Sequence, residues 1–133
     1  GTPKEIYSKP NTKFVAEFIG SPQMNIFNCK IDNGTAKIDN HSINLDKSIN
    51  IDDASIGIRP DDIQISDSGS ITCKANLVEY LGSDMIIYSS LGNQEFSCKL
   101  SSKIDVKAGD EFKFDIQPNL VHIFDNSSGK RLD

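Results

Sequence analysis

Few residues in this chain have the types and spacing that catalysis requires. The two histidines, His41 and His122, have no cysteine, histidine or carboxylate partners at metal-ligand spacing, so structural roles are expected for both. Adjacent carboxylates occur at 52–53 and 61–62, but neighbours on a strand point to opposite faces, which excludes an acid and base pair in that geometry. The chain contains neither Gly-x-x-x-x-Gly-Lys-Ser/Thr nor Gly-x-Gly-x-x-Gly. The sequence therefore predicts a protein that binds rather than catalyses.

The three cysteines, Cys29, Cys73 and Cys98, are an odd number and form no Cys-x-x-Cys pair. This pattern favours a reducing compartment and offers neither a zinc site nor a redox motif. Each cysteine stands in an alternating apolar stretch, where cysteine is usually a small buried hydrophobic residue. We therefore expect all three thiols in the core.

The charge balance limits the classes of partner. The chain carries 14 Lys and Arg against 19 Asp and Glu, a formal net charge of −5. Nucleic-acid binding needs clustered cations to contact phosphates, so this balance argues against it. No apolar run is long enough to cross a bilayer, so membrane association is expected only through a partner protein.

The elements that must position these residues are predicted to be strands. Met24–Ile31 alternates, and Asn33-Gly34 after it is a strong hairpin signal because both residues accept positive φ. Ser70–Leu81 is predicted as one long bent strand. Glu111–Ile116 alternates with a period of two. The spacing of Gly and Asn turns indicates a mainly β fold, a small barrel or sandwich.

The first twenty residues differ from the rest. Thr2, Pro3 and Glu5 form a helix start, and Asn11 caps a second apolar run that ends at Gly20. We therefore expect two short helices ahead of the strands. The predicted boundaries are 1–20 for the helical end of a preceding domain or linker and 21–133 for the β domain, as if the chain were cut from something longer.

Five segments carry a resemblance to a known family. These are Gly1–Tyr7 (GTPKEIY), Phe14–Asn25 (FVAEFIGSPQMN), Gly57–Ile63 (GIRPDDI), Val78–Asp84 (VEYLGSD) and Val121–Leu132 (VHIFDNSSGKRL). In this order they resemble the end of the ATPase domain and the C-terminal regulatory TOBE domain of importer-type ABC transporter ATP-binding subunits. The GSPQMN version resembles the carbohydrate branch, which includes the maltose, multiple-sugar and glycerol-phosphate types.

The resemblance implies a fold and a role. The fold would be an OB-like β-barrel behind the two short helices. Two copies would meet across a twofold axis and hold the ATPase pair together, while permease subunits would contact the parent ATPase domain and a cytosolic regulator would bind in some relatives. The resemblance also implies ATP and Mg²⁺ only for the full-length parent, no cofactor here, and a cytoplasmic location at the inner face of the membrane.

The resemblance also selects candidate interface and regulatory residues. Arg59 follows an apolar strand, and its guanidinium is expected either in a surface ion pair that stabilises by ~0–1 kcal/mol or in bidentate contacts across a subunit interface. The full set consists of Arg59, Asp61, Tyr80, Gly82, Ser83, Phe124 and Asp125.

Two other functions are weighed against this one. A related barrel could bind an oxyanion such as molybdate, with Ser21, Ser83 and Lys99 as the available ligands. An OB-type single-strand binder would need exposed aromatic residues among basic ones, and the net charge has the wrong sign. The GSPQMN segment favours the sugar-importer interpretation over the oxyanion one.

Overall fold

The computed structural model describes residues 23–132, which form eleven β-strands and two single-turn 3₁₀ helices. The mainly β prediction is confirmed, whereas the two predicted N-terminal helices lie outside the described residues. The 3₁₀ helices lie at Pro60–Asp62 and Pro118–Leu120. The strands are β1 (Asn25–Asp32), β2 (Thr35–Ile38), β3 (His41–Asn44), β4 (Ile51–Ile58), β5 (Ile63–Ile65), β6 (Ile71–Lys74), β7 (Leu77–Leu81), β8 (Asp84–Leu91), β9 (Gln94–Ser101), β10 (Glu111–Ile116) and β11 (His122–Asp125).

These strands form three antiparallel sheets. The largest has the order β11-β4-β1-β2-β3, and the other two have the orders β5-β10-β6 and β7-β8-β9. Four of the eight strand pairs join consecutive strands: β1-β2, β2-β3, β7-β8 and β8-β9. In the largest sheet β4 pairs with β1 on one side and, on the other, with β11 from the far end of the chain.

The hairpin between β1 and β2 turns where the sequence predicts it. Asn33 and Gly34 have φ angles of 49° and 77°, both in the left-handed region. Gly34 is buried in this turn, and a Cβ placed on it would collide with the carbonyl oxygen of Lys47. This turn therefore needs glycine both for its backbone angle and for space.

The single long strand predicted over Ser70–Leu81 is wrong. The chain leaves one sheet after β6 and enters another at β7, with Ala75 and Asn76 between them. The N–H of Ala75 donates to the carbonyl of Asp110, and the N–H of Asn76 donates to the carbonyl of Tyr88, both at 2.8 Å. Ala75 thus bonds to the residue that precedes β10, and Asn76 bonds to β8 of the next sheet, so the backbone changes sheets here. His41 is the first residue of β3.

The three sheets meet at a row of aromatic rings. Phe27 lies on β1, Phe96 on β9 and Phe114 on β10, so each sheet contributes one ring. The ring centroids of Phe27 and Phe96 are 5.6 Å apart, and those of Phe96 and Phe114 are 5.5 Å apart. All three side chains are buried. Edge-to-face and tilted contacts at these distances add to the free energy of burial, so this row holds the sheets around one core.

The prediction that all three thiols lie in the core is confirmed for two of the three cysteines. Cys73 and Cys98 are buried in the main core, whereas Cys29 is only half-buried. Burial raises the pKa of the Cys29 thiol to about 11. Burial, with the nearby Cys73, raises the pKa of Cys98 to about 12.

Candidate functional site

Three of the candidate residues lie together at the tip of the β7–β8 hairpin. Tyr80 pairs with Met85 near the end of the hairpin and is 60% exposed. Gly82, with φ of 77°, and Ser83 form the turn, and open space surrounds the position that a Cβ on Gly82 would occupy. The Ser83 carbonyl accepts a hydrogen bond from the N–H of Ser102 at 2.9 Å, which ties the tip to the end of β9.

The hairpin also exposes apolar side chains that the sequence interpretation did not select. Leu77 and Leu81 on β7 are 57% and 51% exposed, beside Tyr80. We call these three residues the β7 surface. β7 is an edge strand of its sheet. The signal in the sequence was the stretch LVEYL, whose apolar residues do not alternate and so cannot all face one core.

Arg59 and Asp61 lie elsewhere, in the turn after β4. Arg59 is 7% exposed, so its side chain is buried at the end of the strand and does not lie at the surface. Asp61 is exposed. Partial burial and the nearby Asp61 raise the pKa of Asp62, while the Arg59 charge acts in the opposite direction.

Phe124 and Asp125 occupy a third place, at the end of β11. Phe124 is fully buried. Asp125 accepts hydrogen bonds at Oδ1 from the N–H and the hydroxyl of Ser127, at 3.1 and 2.8 Å, and its carbonyl accepts one from the N–H of Gly129 at 2.7 Å. Asp125 thus closes the turn after β11.

The candidate residues therefore do not form one site. Asp125 pairs with Ala54 in the middle of β4, five positions from Arg59, which is roughly 16 Å at 3.3 Å per residue. The hairpin tip belongs to a different sheet. The candidates occupy three places: the exposed hairpin tip, the turn in which Arg59 is buried and Asp61 exposed, and the end of β11, where Phe124 is buried.

The candidate ligand groups are also separated. Within residues 23–132, no group of three or more His, Cys, Asp or Glu side chains is placed to hold a metal ion. Of the residues considered for an oxyanion, Ser83 lies in the hairpin turn, Lys99 lies within β9 opposite Ile86, and Ser21 is outside the described residues. The structure therefore offers no assembled oxyanion site among the described candidates.

Comparison with known families identifies the domain. A family model described as the TOBE domain matches residues 56–124. The chain belongs to the TOBE domain family. The matched region of this TOBE domain runs from within β4 to within β11. It includes the β7–β8 hairpin and the turn that holds Arg59, and it begins after β1–β3.

Individual relatives of this TOBE domain match nearly all of the chain. The oligosaccharides import ATP-binding protein MsmX of Bacillus subtilis is 34% identical over 99% of the chain and 40% of its own length. The sn-glycerol-3-phosphate import ATP-binding proteins UgpC of a Ruegeria species and of Escherichia coli are 34% and 30% identical, each over 99% of the chain. The chain spans 38% and 39% of those two proteins.

Proposed function

We propose that this TOBE domain is the C-terminal regulatory and dimerisation domain of the ATP-binding subunit of an ABC importer for sugars or sugar-like solutes. The observation that carries the proposal is the match over nearly the whole chain to ATP-binding proteins of which it spans only about two-fifths. The relatives named above import oligosaccharides or sn-glycerol-3-phosphate, and no observation favours the oxyanion alternative.

The domain itself works by binding. ATP and Mg²⁺ belong to the full-length parent, since the chain contains no Gly-x-x-x-x-Gly-Lys-Ser/Thr motif to hold the phosphates. We infer that the three sheets close into an OB-like barrel over 21–133, which presents partner-binding loops and buries the aromatic row. Residues 1–20 would then be the end of the ATPase domain or the linker from it.

The partners follow from this placement. A second copy of the subunit would pair with the first, and permease subunits would contact the parent through its ATPase domain, at the cytoplasmic face of the membrane. Among the described residues, no helix has the length and apolar character needed to cross a membrane. The exposed candidates Asp61, Tyr80, Gly82 and Ser83 are proposed to face a second subunit or a cytosolic regulator, whereas the buried Arg59 and Phe124 and the turn-closing Asp125 support the fold.

A chimera tests the proposal. The matching two-fifths of the Bacillus subtilis oligosaccharide import protein is replaced by this chain, and oligosaccharide uptake is measured in cells that lack the native subunit. We expect uptake well above that of a subunit truncated at the same junction. A chimera that is folded and hydrolyses ATP but takes up no more oligosaccharide than the truncation would overturn the proposal.

A further inference from the structure

The turn between β1 and β2 holds the one Asn-Gly pair of the chain, Asn33-Gly34. Every other asparagine is followed by a residue with a side chain. Asparagine is a thermolabile residue, and glycine after it offers the least steric hindrance to attack by the next backbone nitrogen. The turn needs this pair, because both residues have positive φ angles and Gly34 has no space for a Cβ. A chemically labile pair is therefore fixed at this position by the fold.

The reaction open to this pair is deamidation. The backbone nitrogen of Gly34 loses its proton and attacks Cγ of Asn33, a C–N bond forms, and the side-chain nitrogen leaves as ammonia. One water molecule then opens the resulting succinimide ring. Attack of water at Cγ gives aspartate at position 33, whereas attack at the backbone carbonyl gives isoaspartate. Water is the only co-reactant.

The folded turn holds the attacking nitrogen in place. The N–H of Gly34 donates to the carbonyl of Ile49 at 2.9 Å, and the carbonyl of Gly34 accepts from the N–H of Leu45 at 2.8 Å. The N–H of Asn33 donates to Asn50 Oδ1 at 2.8 Å. Three consecutive peptide groups are thus each anchored by one hydrogen bond. Ring closure requires the middle peptide group to rotate and its nitrogen to release the proton, so the folded turn opposes both steps.

The anchor of this turn is the connection 45–50 between β3 and β4, which forms no strand. Its apolar side chains are the buried Leu45 and the half-buried Ile49, whereas residues 46–48 and Asn50 are exposed. A segment with few buried apolar contacts can open while the rest of the domain stays folded. Such an opening breaks the bonds to Asn33 and Gly34 and frees the attacking nitrogen.

We propose that Asn33 is a spontaneous deamidation site, which the folded turn closes and which local opening of the 45–50 connection exposes. The side chain that reacts is already in contact with water, since Asn33 is exposed. The buried partner is Gly34, so its nitrogen limits the reaction. This inference concerns the chemistry of the chain itself and is independent of the proposed function.

The two products have different consequences for the fold. Aspartate keeps the length of the backbone and tolerates positive φ, and the anchoring bonds use backbone atoms of residues 33 and 34, so the turn can form again. Isoaspartate adds a methylene group to the backbone within the turn. The turn has no space for it, because even a Cβ on Gly34 would collide with the carbonyl oxygen of Lys47. Chains with isoaspartate therefore lose the anchoring of the 45–50 connection.

Peptide mapping measures the reaction. Trypsin cleaves after Lys30 and Lys37 and releases the peptide Ile31–Lys37, in which Asn33 is the one asparagine. The whole chain is kept in mildly alkaline buffer with and without urea, and the fraction of this peptide with the amide-to-acid mass change is followed. We expect this fraction to grow at least about ten-fold more slowly in the folded chain, because the turn must open first. Asn33→Asp has no amide to lose and serves as the blank.

A pair of variants distinguishes local opening from unfolding of the whole domain. Leu45→Ala loosens the 45–50 connection, whereas Ile63→Ala removes a similar side chain from the same core but in another sheet. The free energy of unfolding of each variant is measured in urea. For an equal loss of that free energy, Leu45→Ala should accelerate the reaction several-fold more than Ile63→Ala. If Leu45→Ala does not fold, Asn50→Ala removes one anchoring bond and takes its place.

Each alternative result counts against the proposal. Deamidation of Asn33 that is as fast in the folded chain as in urea would show that the turn gives no protection. Acceleration that depends only on the free energy of unfolding, whichever residue is changed, would show that the whole domain must unfold first. Either result overturns the proposal. An isoaspartate-containing chain that regains the melting temperature of the unmodified chain would contradict the structural consequence.

Discussion

The side-chain amide of Asn25 pairs with the backbone of Ser97 as another strand would. Its Nδ2 donates to the Ser97 carbonyl at 2.7 Å, and the Ser97 N–H donates to its Oδ1 at 2.9 Å, with both residues buried. Gln94 on β9 makes the equivalent pair of bonds with β1. The N–H of Asn28 donates to Gln94 Oε1, and Gln94 Nε2 donates to the carbonyl of Asn28. β1 and β9 belong to different sheets, so two amide side chains join the sheets where backbone pairing does not.

Replacement of Asn25 by Ala is expected to lower the free energy of unfolding substantially. It leaves the buried N–H and carbonyl of Ser97 without their partner, and each such group costs about 1–3 kcal/mol. Urea denaturation measures the loss. Gln94→Ala is the matched control, because its bonds are exposed and water can replace the lost partner. Equal losses in the two variants would contradict the role of burial.

Gly34 and Gly82 share a φ angle of 77° but differ in their surroundings. Alanine at Gly82 should cost only the price of a left-handed backbone, about 1–2 kcal/mol, because the space for its Cβ is open. Alanine at Gly34 should cost clearly more, since its Cβ would collide with the backbone of Lys47. Thermal unfolding of both variants tests this. A Gly34→Ala protein as stable as Gly82→Ala would show that the β1–β2 turn can shift.

Arg59→Ala is expected to destabilise the fold by more than about 1 kcal/mol, the range for surface pairs. The long side chain is buried, so truncation opens space at the end of β4 and removes packing as well as charge. Chemical denaturation is the measurement, with Lys74→Ala on an exposed position of β6 as the control. If the two variants unfold at the same denaturant concentration, the Arg59 side chain contributes no more than a surface lysine.

Asp62 makes stability depend on pH. Partial burial and Asp61 raise the pKa of Asp62 above its ordinary 3.8. The folded state therefore favours the protonated carboxyl. The stability that this preference contributes is fully present below pH 3.8 and is lost as the pH rises through the folded-state pKa. Asp62→Asn should therefore raise the melting temperature at pH 7, and the gain should shrink as the pH falls through the folded-state pKa and be absent below 3.8. Asp67→Asn, in the exposed loop after β5, controls for the loss of one negative charge. A gain that persists unchanged at low pH would argue against this titration.

The three thiols should react in a fixed order. Cys29 is half-buried and Cys73 and Cys98 are buried, so a thiol reagent should reach Cys29 first and the others only as the protein unfolds. The reactive species is the thiolate, and the pKa of Cys29 near 11 makes even this reaction slow at neutral pH. The time course of modification measures this. In Cys29→Ser the first phase should vanish, and a first phase that survives would place the accessible thiol elsewhere.

Local patterns in the sequence were sufficient for β1, for β10 and for the hairpin at Asn33-Gly34, because alternation and turn residues act over a few positions. The break between β6 and β7 was not predictable in this way. It depends on which distant strands accept from Ala75 and Asn76, and an alternation of apolar residues continues through it. The burial of Arg59 was missed for the same reason, since a charged residue before a proline looks exposed until the packing around it is known.

The candidate site shows the same difference between features set by local sequence and features set by the topology. Gly82 and Ser83 form a turn, and turn chemistry is local. The exposure of Leu77 and Leu81 was not anticipated, since it follows from β7 lying at the edge of its sheet, a property of the topology. The seven candidates were selected by a resemblance that orders motifs along the chain and carries no information on their distances in space.

The pairing of β11 with β4 sets a limit on when this domain can complete its fold during synthesis. β4 is made early, but its outer edge stays without this partner until residues 122–125 have left the ribosome. The β7–β8–β9 hairpins, whose contacts are local, can form well before that point. A nascent chain stalled ahead of His122 would therefore present the open edge of β4 to its surroundings, and the pairing of β11 ends this exposure to misassembly.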